Sequence, residues 1–203
     1  VVALVNDRRD EARTLASAAL AADGSSPSAL LASSFVAQAD FDLARASQLA
    51  EKAATLDPGS AEAQARVAEL RLAQGNHAGA LAAANDAVTR QPDNARANAV
   101  LGFVHLAAYE TKEAEASFNH AVQSDPGFPL AHAGRGIARF RLGELAAGRE
   151  DLQTAVMLDP EESLYRSYLG KAYYEEYRSR DAGKEYAAAK ALDPKDPTPW
   201  RYS

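Results

Sequence analysis

The sequence contains no cysteine. A disulfide framework, a thiolate metal site and a cysteine nucleophile are therefore excluded, and the redox compartment stays open. Methionine and tryptophan occur once each, and aromatic residues make up 7% of the 203. No apolar run approaches the ~18 residues of a membrane-spanning helix, so no membrane insertion is expected. Basic residues are the minority: 22 Lys and Arg stand against 28 Asp and Glu, giving a net charge of −6. That balance argues against a nucleic-acid partner, whose backbone requires a basic face. What the chain has in quantity is alanine. Small residues in a polar background suit closely packed helices better than a sheet.

Prolines set a period. Pro58, Pro92, Pro126, Pro160 and Pro194 lie 34 residues apart, and Asp precedes all but Pro92. This register defines five complete units, 27–60, 61–94, 95–128, 129–162 and 163–196, with a partial unit at 1–26 and the start of another at 197–203. Both ends cut through a unit, so the chain is expected to be a piece of a longer array. The eighth place of each unit is small (Ser34, Ala68, Gly102, Gly136, Gly170), and so is the twentieth (Ala46, Ala80, Ala114, Gly148, Ala182). The twenty-seventh is always alanine: Ala53, Ala87, Ala121, Ala155 and Ala189. Small residues at helix crossings let backbones approach, and bulky ones would overpack. Each unit reads as helix A over about the first fourteen places and helix B over about places seventeen to thirty. Gly75 and Gly143 mark the turn between them, where positive φ is useful. Asp-Pro ends helix B, because the residue before proline leaves the α region. Ser60 and Asn94 are placed to cap the next helix A.

At these residues the chain resembles the tetratricopeptide repeat (TPR) family, whose pattern includes Leu-Gly at places seven and eight, Tyr at eleven and an aromatic at twenty-four. Leu101-Gly102 and Phe118 match it in the third unit, and Leu169-Gly170, Tyr173 and Tyr186 match in the fifth. The aromatic expected at place four is replaced by Leu30, Gln64, Asn98, His132 and Arg166, though Trp200 occupies that place in the last, partial unit. The resemblance implies an all-α fold, a right-handed α-solenoid of antiparallel helix pairs. Residues 166–176 and 192–200 also look like long bacterial TPR proteins, some of which carry FecR-like domains, and this implies a cell-envelope or periplasmic location.

The family places inward-facing residues of helix A at places two, five, six, nine, twelve and thirteen. Here these include Leu31 and Phe35; Glu62, Arg66, Glu69 and Leu72; Arg96, Val100, Phe103 and Leu106. They continue with Leu130, Ile137, Phe140 and Arg141; Leu164, Tyr168, Lys171, Tyr174 and Glu175; and Tyr202. The resemblance thus implies a concave wall that takes a peptide segment or helix of another protein. The alternative expectation is that rings such as Phe35, Phe103, Phe140, Tyr168 and Tyr174 pack between neighbouring helices. The carboxylate clamp of chaperone-tail binders is missing, since place five reads Leu31, Ala65, Ala99, Ala133 and Ser167. The asparagine ladder of glycosyltransferase-type arrays is missing too, since place six reads Ala32, Arg66, Val100, Gly134 and Tyr168. A second class of partner is another copy of the chain, stacked through the solenoid ends or the convex face.

The fourth unit breaks the pattern with Arg135 at the Leu place and Arg139 at the Tyr place. Four residues apart, they share a helix face. A buried guanidinium requires a counter-charge, so either Glu150 or Asp151 pairs with it or the site receives an acidic group of a ligand. The histidines, His77, His105, His120 and His132, show no paired-ligand spacing, and no phosphate loop, dinucleotide fingerprint or nucleophile elbow occurs. No cofactor, metal or catalytic residue is expected. Residues 1–128 carry 10 basic and 16 acidic residues, which reads either as an acidic rim that steers a basic partner or as ordinary solubility.

Overall fold

The computed structural model describes residues 9–200. Residues 1–8 of the first partial unit, and Tyr202 of the expected inner wall, lie outside the described residues. Eleven α-helices and no strands occur among those described. They are α1 (Arg9–Ala22), α2 (Pro27–Ala39), α3 (Leu43–Leu56), α4 (Ala61–Ala73), α5 (His77–Arg90) and α6 (Ala95–Ala107), then α7 (Thr111–Ser124), α8 (Pro129–Leu142), α9 (Leu145–Leu158), α10 (Ser163–Glu175) and α11 (Ser179–Leu192). From α2 onward even-numbered helices are A helices and odd-numbered ones B helices.

Local chemistry fixes where each helix starts and stops. Ser26, Ser60 and Asn94 accept hydrogen bonds from the N–H groups of Ala29, Ala63 and Ala97, and Asp42 and Asn76 do the same for Arg45 and Gly79. Each cap satisfies a donor that the first turn leaves orphaned. Helices B stop at Asp57, Gln91, Asp125, Asp159 and Asp193, all at φ between −125° and −144°. Proline follows each. At three of them the carboxylate also folds back onto the N–H two residues on, at Gly59, Gly127 and Lys195. The A-to-B turns share one bonding pattern. The residue at place fifteen donates to the carbonyl at place twelve, and the next donates to place eleven, as in Gly143 to Phe140 (3.1 Å) and Glu144 to Arg139 (2.9 Å).

The chain forms two compact units, Val1–Val104 and His105–Ser203. In the first, α1 to α5 pack on one another in sequence order, and the A helices α2 and α4 also touch. Its core is dominated by alanine: Ala46, Ala50, Ala61, Ala65, Ala68, Ala80, Ala84, Ala87 and Ala97, closed by Val67, Leu70, Val100 and Val104. In the second, α7 to α11 pack in the same order, and α8 touches α10. Its core is built on Leu152, Tyr165, Leu169, Tyr173 and Tyr186. Rings fit there because glycine faces them. A Cβ at Gly134 would overlap the Phe118 ring, and one at Gly170 would lie 2.6 Å from Tyr186.

Candidate functional site

In the first unit, four of the expected inward residues converge. Phe35 comes from α2, Arg66 and Glu69 from α4, and Arg96 from α6. Arg66 is 2% exposed. Its Nε donates to Ser34 Oγ (3.0 Å), its Nη2 to the Ser34 carbonyl (3.1 Å) and its Nη1 to Glu69 (3.0 Å). Glu69 also accepts from Arg96 Nη2 at 2.7 Å. Both guanidiniums lie over the Phe35 ring, at 3.8 Å and 4.9 Å from its centroid. Burial pushes the Arg66 pKa below its usual value, and Glu69 opposes that shift. Two cations and one carboxylate leave the cluster with one net positive charge. Phe35, Glu69 and Arg96 are half-buried, and Leu31 is buried in a cluster with Leu30, Ala53 and Ala63.

In the second unit, a groove of about 420 Å³ opens between α8 and α10. Ile137, Phe140, Leu145, Leu152, Tyr168 and Ala172 form its apolar lining, and Arg141, Lys171 and Glu175 bring charge to it. Six expected residues thus meet in one place: Ile137, Phe140, Arg141, Tyr168, Lys171 and Glu175. Tyr174 is exposed but lies outside this lining. Leu106 is buried, and its carbonyl accepts from Arg141 Nη1 at 2.7 Å. Phe103, of the first unit, is half-buried.

Arg135 and Arg139 pair within the chain. Asp151, only 5% exposed, accepts from Arg135 Nη2 (2.6 Å) and Nε (2.9 Å) and from Arg139 Nη1 (2.8 Å). Glu115 takes Arg139 Nε at 3.0 Å and Asn119 takes Arg135 Nη1 at 3.1 Å. His132 closes the cluster, with Nδ1 3.5 Å from Asp151 and Nε2 3.0 Å from the Pro126 carbonyl. Both guanidiniums thus have counter-charge within the chain. Of the two carboxylates considered, Asp151 is the partner and Glu150 stays exposed.

Sequence reasoning passed over one set of residues. At place fifteen, Gly75 and Gly143 alternate with Phe41, Tyr109 and Tyr177. These aromatics have φ of 62°, 63° and 59° and are 86%, 85% and 94% exposed. Left-handed backbone costs a non-glycine residue roughly 1–2 kcal/mol. The signal was legible as a 68-residue spacing of rings at one place, but glycine alone was read at that turn.

Among the described residues no helix is long and apolar enough to cross a membrane, and no group of three metal-ligating side chains converges. The chain is similar to a thermophilic TPR protein of Thermus thermophilus (25% identity, covering 87% of this chain and 97% of that one, TM-score 0.78). It is also similar in fold to a chain of the APC/C hetero-tetramer Cut9–Hcn1 (15% identity, 98% of this chain, TM-score 0.84), of which it spans 40%. A third structure is YrrB, a TPR protein with an unusual peptide-binding site (17% identity, 92% of this chain and 96% of that one, TM-score 0.58). No curated protein matches the chain. Tetratricopeptide repeat profiles match residues 37–102, 71–137 and 133–197. With its helix pairs and their small-residue crossings, the chain belongs to the tetratricopeptide repeat family, an all-α fold of protein-interaction scaffolds.

Proposed function

We propose that this chain is a non-catalytic scaffold that holds a peptide segment or helix of another protein against the inward faces of its A helices. The observation that carries this reading is the groove between α8 and α10, lined by apolar side chains including Phe140 and Tyr168 together with Lys171 and Arg141. Such a groove suits an apolar anchor with a neighbouring carboxylate. A buried aromatic contact removes roughly 150–250 Å² from water, worth a few kcal/mol of gross driving force at ~25 cal/mol/Å². After association costs, that supports affinities on the order of micromolar. In the first unit, Phe35, Glu69 and Arg96 add a polar contact area, to which buried Arg66 lends one excess positive charge.

A peptide-display library panned on the chain tests the reading. Selected peptides should pair an apolar residue with an acidic one. Tyr168→Ala should weaken them at least tenfold, and Lys171→Glu should weaken the acidic ones more than the neutral ones. Selected peptides that bind both variants as tightly as the parent would sink groove binding. Concentration-dependent self-association lost in the same variants would favour a second copy as the occupant.

A further inference from the structure

The exposed rings at the A-to-B turns serve neither the backbone nor the core. Gly75 and Gly143 make the same turn with the same two hydrogen bonds, so the turn does not require an aromatic side chain. Rings 85–94% exposed are not packing the interior either. Only Tyr109 has a cation beside it, Arg141, and neither Phe41 nor Tyr177 has one among the described residues; strain kept for so little return points outside the chain.

In the second unit the surroundings say what kind of partner fits. Tyr109 and Tyr177 stand on either side of Gly143, whose missing side chain leaves open space. The neighbourhood of the first two turns is direct: Arg141, two residues before Gly143, lies 5.7 Å from the Tyr109 centroid and bonds the Leu106 carbonyl. Two repeats of packed helices at about 10 Å each put the rings about 20 Å apart, a span of about six extended residues. Glu144 sits beside Gly143, exposed, and its carboxylate neither caps α9 nor forms an ion pair among the described residues, although it lies within the field of Arg139. Glu175 adds a second exposed carboxylate near Tyr177. The neighbouring cation, Arg178, lies over the Tyr173 ring instead (4.5 Å) and is paired with Glu176 and Asp181. Arg141 keeps its charge at Tyr109, but Glu144 and Glu175 outnumber it, and ring faces and exposed carboxylates together attract cationic side chains.

We infer that Tyr109, Gly143, Glu144 and Tyr177 form a second docking surface, at the turns, for an extended lysine- or arginine-bearing segment of another protein. Basic side chains stack on the two rings and meet Glu144 over the bare backbone between them. Phe41 repeats only the strained, exposed ring in the first unit, because Asp40 pairs with Arg13 and Asp42 caps α3.

The test uses a fluorescein-labelled peptide of four Lys-Pro-Pro repeats, pre-extended and carrying a charge about every 9 Å, with a Glu-Pro-Pro peptide as its counterpart. Anisotropy at low salt should show binding of the basic peptide only. Tyr109→Gly with Tyr177→Gly, and separately Glu144→Lys, should each weaken it at least tenfold, while Tyr168→Ala leaves it unchanged. That last variant keeps the failure of this surface distinct from the failure of the groove. Each ring-to-glycine change should also raise Tm by about 2–4 °C, because it relieves positive φ. No basic-peptide binding, equal binding of the acidic peptide, or a Tm lowered by the glycine variants would overturn the proposal. So would a dimer in sedimentation that the tyrosine variants abolish, since the occupant would then be a second copy.

Discussion

The two units use one repeat to bury opposite charges. In the first, whose core is mostly alanine, the buried charge is the cation Arg66, held by Ser34, Glu69 and the Phe35 ring. In the second, a core of rings on glycines surrounds the anion Asp151, held by Arg135, Arg139 and, more distantly, His132. The difference lies in redundancy. Arg66 can leave with its counter-charge still engaged, because Glu69 keeps Arg96. Asp151 cannot leave without stranding the cations that converge on it, although Arg139 retains Glu115.

The largest expected effect follows from this asymmetry. Asp151→Ala should cost about 3–5 kcal/mol of stability, as loss of one partner of a buried pair does. Arg66→Met, which fills a similar volume but takes donors from the Ser34 Oγ and the Ser34 carbonyl, should cost about 1–2 kcal/mol. Urea unfolding followed by circular dichroism measures both. Equal costs in the two units would dissolve the distinction.

Packing gives the second contrast, at place eight of the repeat. Ala68 lies wholly buried in the first unit, while Gly170 faces Tyr186 in the second. Gly170→Ala should destabilise by about 1–3 kcal/mol through overpacking. Ala68→Gly should cost about 1 kcal/mol, chiefly through helix propensity. Adding Tyr186→Leu to Gly170→Ala should cost less than the two changes separately. Additive costs would show that ring and glycine are not coupled.

These contrasts also show what the sequence made readable. Proline after Asp and small residues at fixed places carry helix ends and crossings, because both act through local backbone sterics. The helix starts at Pro27, Ala61, Ala95, Pro129 and Ser163 follow from them. The pairing of Arg135 with Asp151 was within reach, since both belong to one hairpin. Glu115 was not, because it arrives from the preceding B helix, 24 residues from Arg139. Arg66 was read as part of the inner wall, and it is instead buried by Phe35 and Ser34 from the previous repeat. Side-chain depth depends on what the neighbouring repeat brings, and periodicity alone does not contain it. The strained turn rings were visible as a spacing, but only φ and exposure gave that spacing a meaning.

The smallest contrast concerns acid. The caps of the first unit's A helices, Ser26, Ser60 and Asn94, are neutral. At the same place near the end of the second stands Asp196, which accepts from Ser167 Oγ and from the Thr198 N–H, both at 2.8 Å. Partial burial pushes its pKa up, but the Thr198 N–H and hydroxyl and the Ser167 hydroxyl outweigh this, so the carboxyl titrates below its usual range. The unfolded chain therefore binds the proton more readily than the folded one. The stabilisation is present above the unfolded value of about 3.9 and is lost as pH falls through the lower folded value. Between those values the last contacts of α10 with the chain beyond α11 should loosen while the serine and asparagine caps hold. Hydrogen exchange of the Thr198 amide, with an NMR titration of Asp196, measures this. Asp196→Asn should flatten the acid dependence at that amide and leave Ala63 and Ala97 unchanged. A carboxyl midpoint at or above about 3.9 would remove the contrast, since the Ser167 and Thr198 donors would then not favour the charged form.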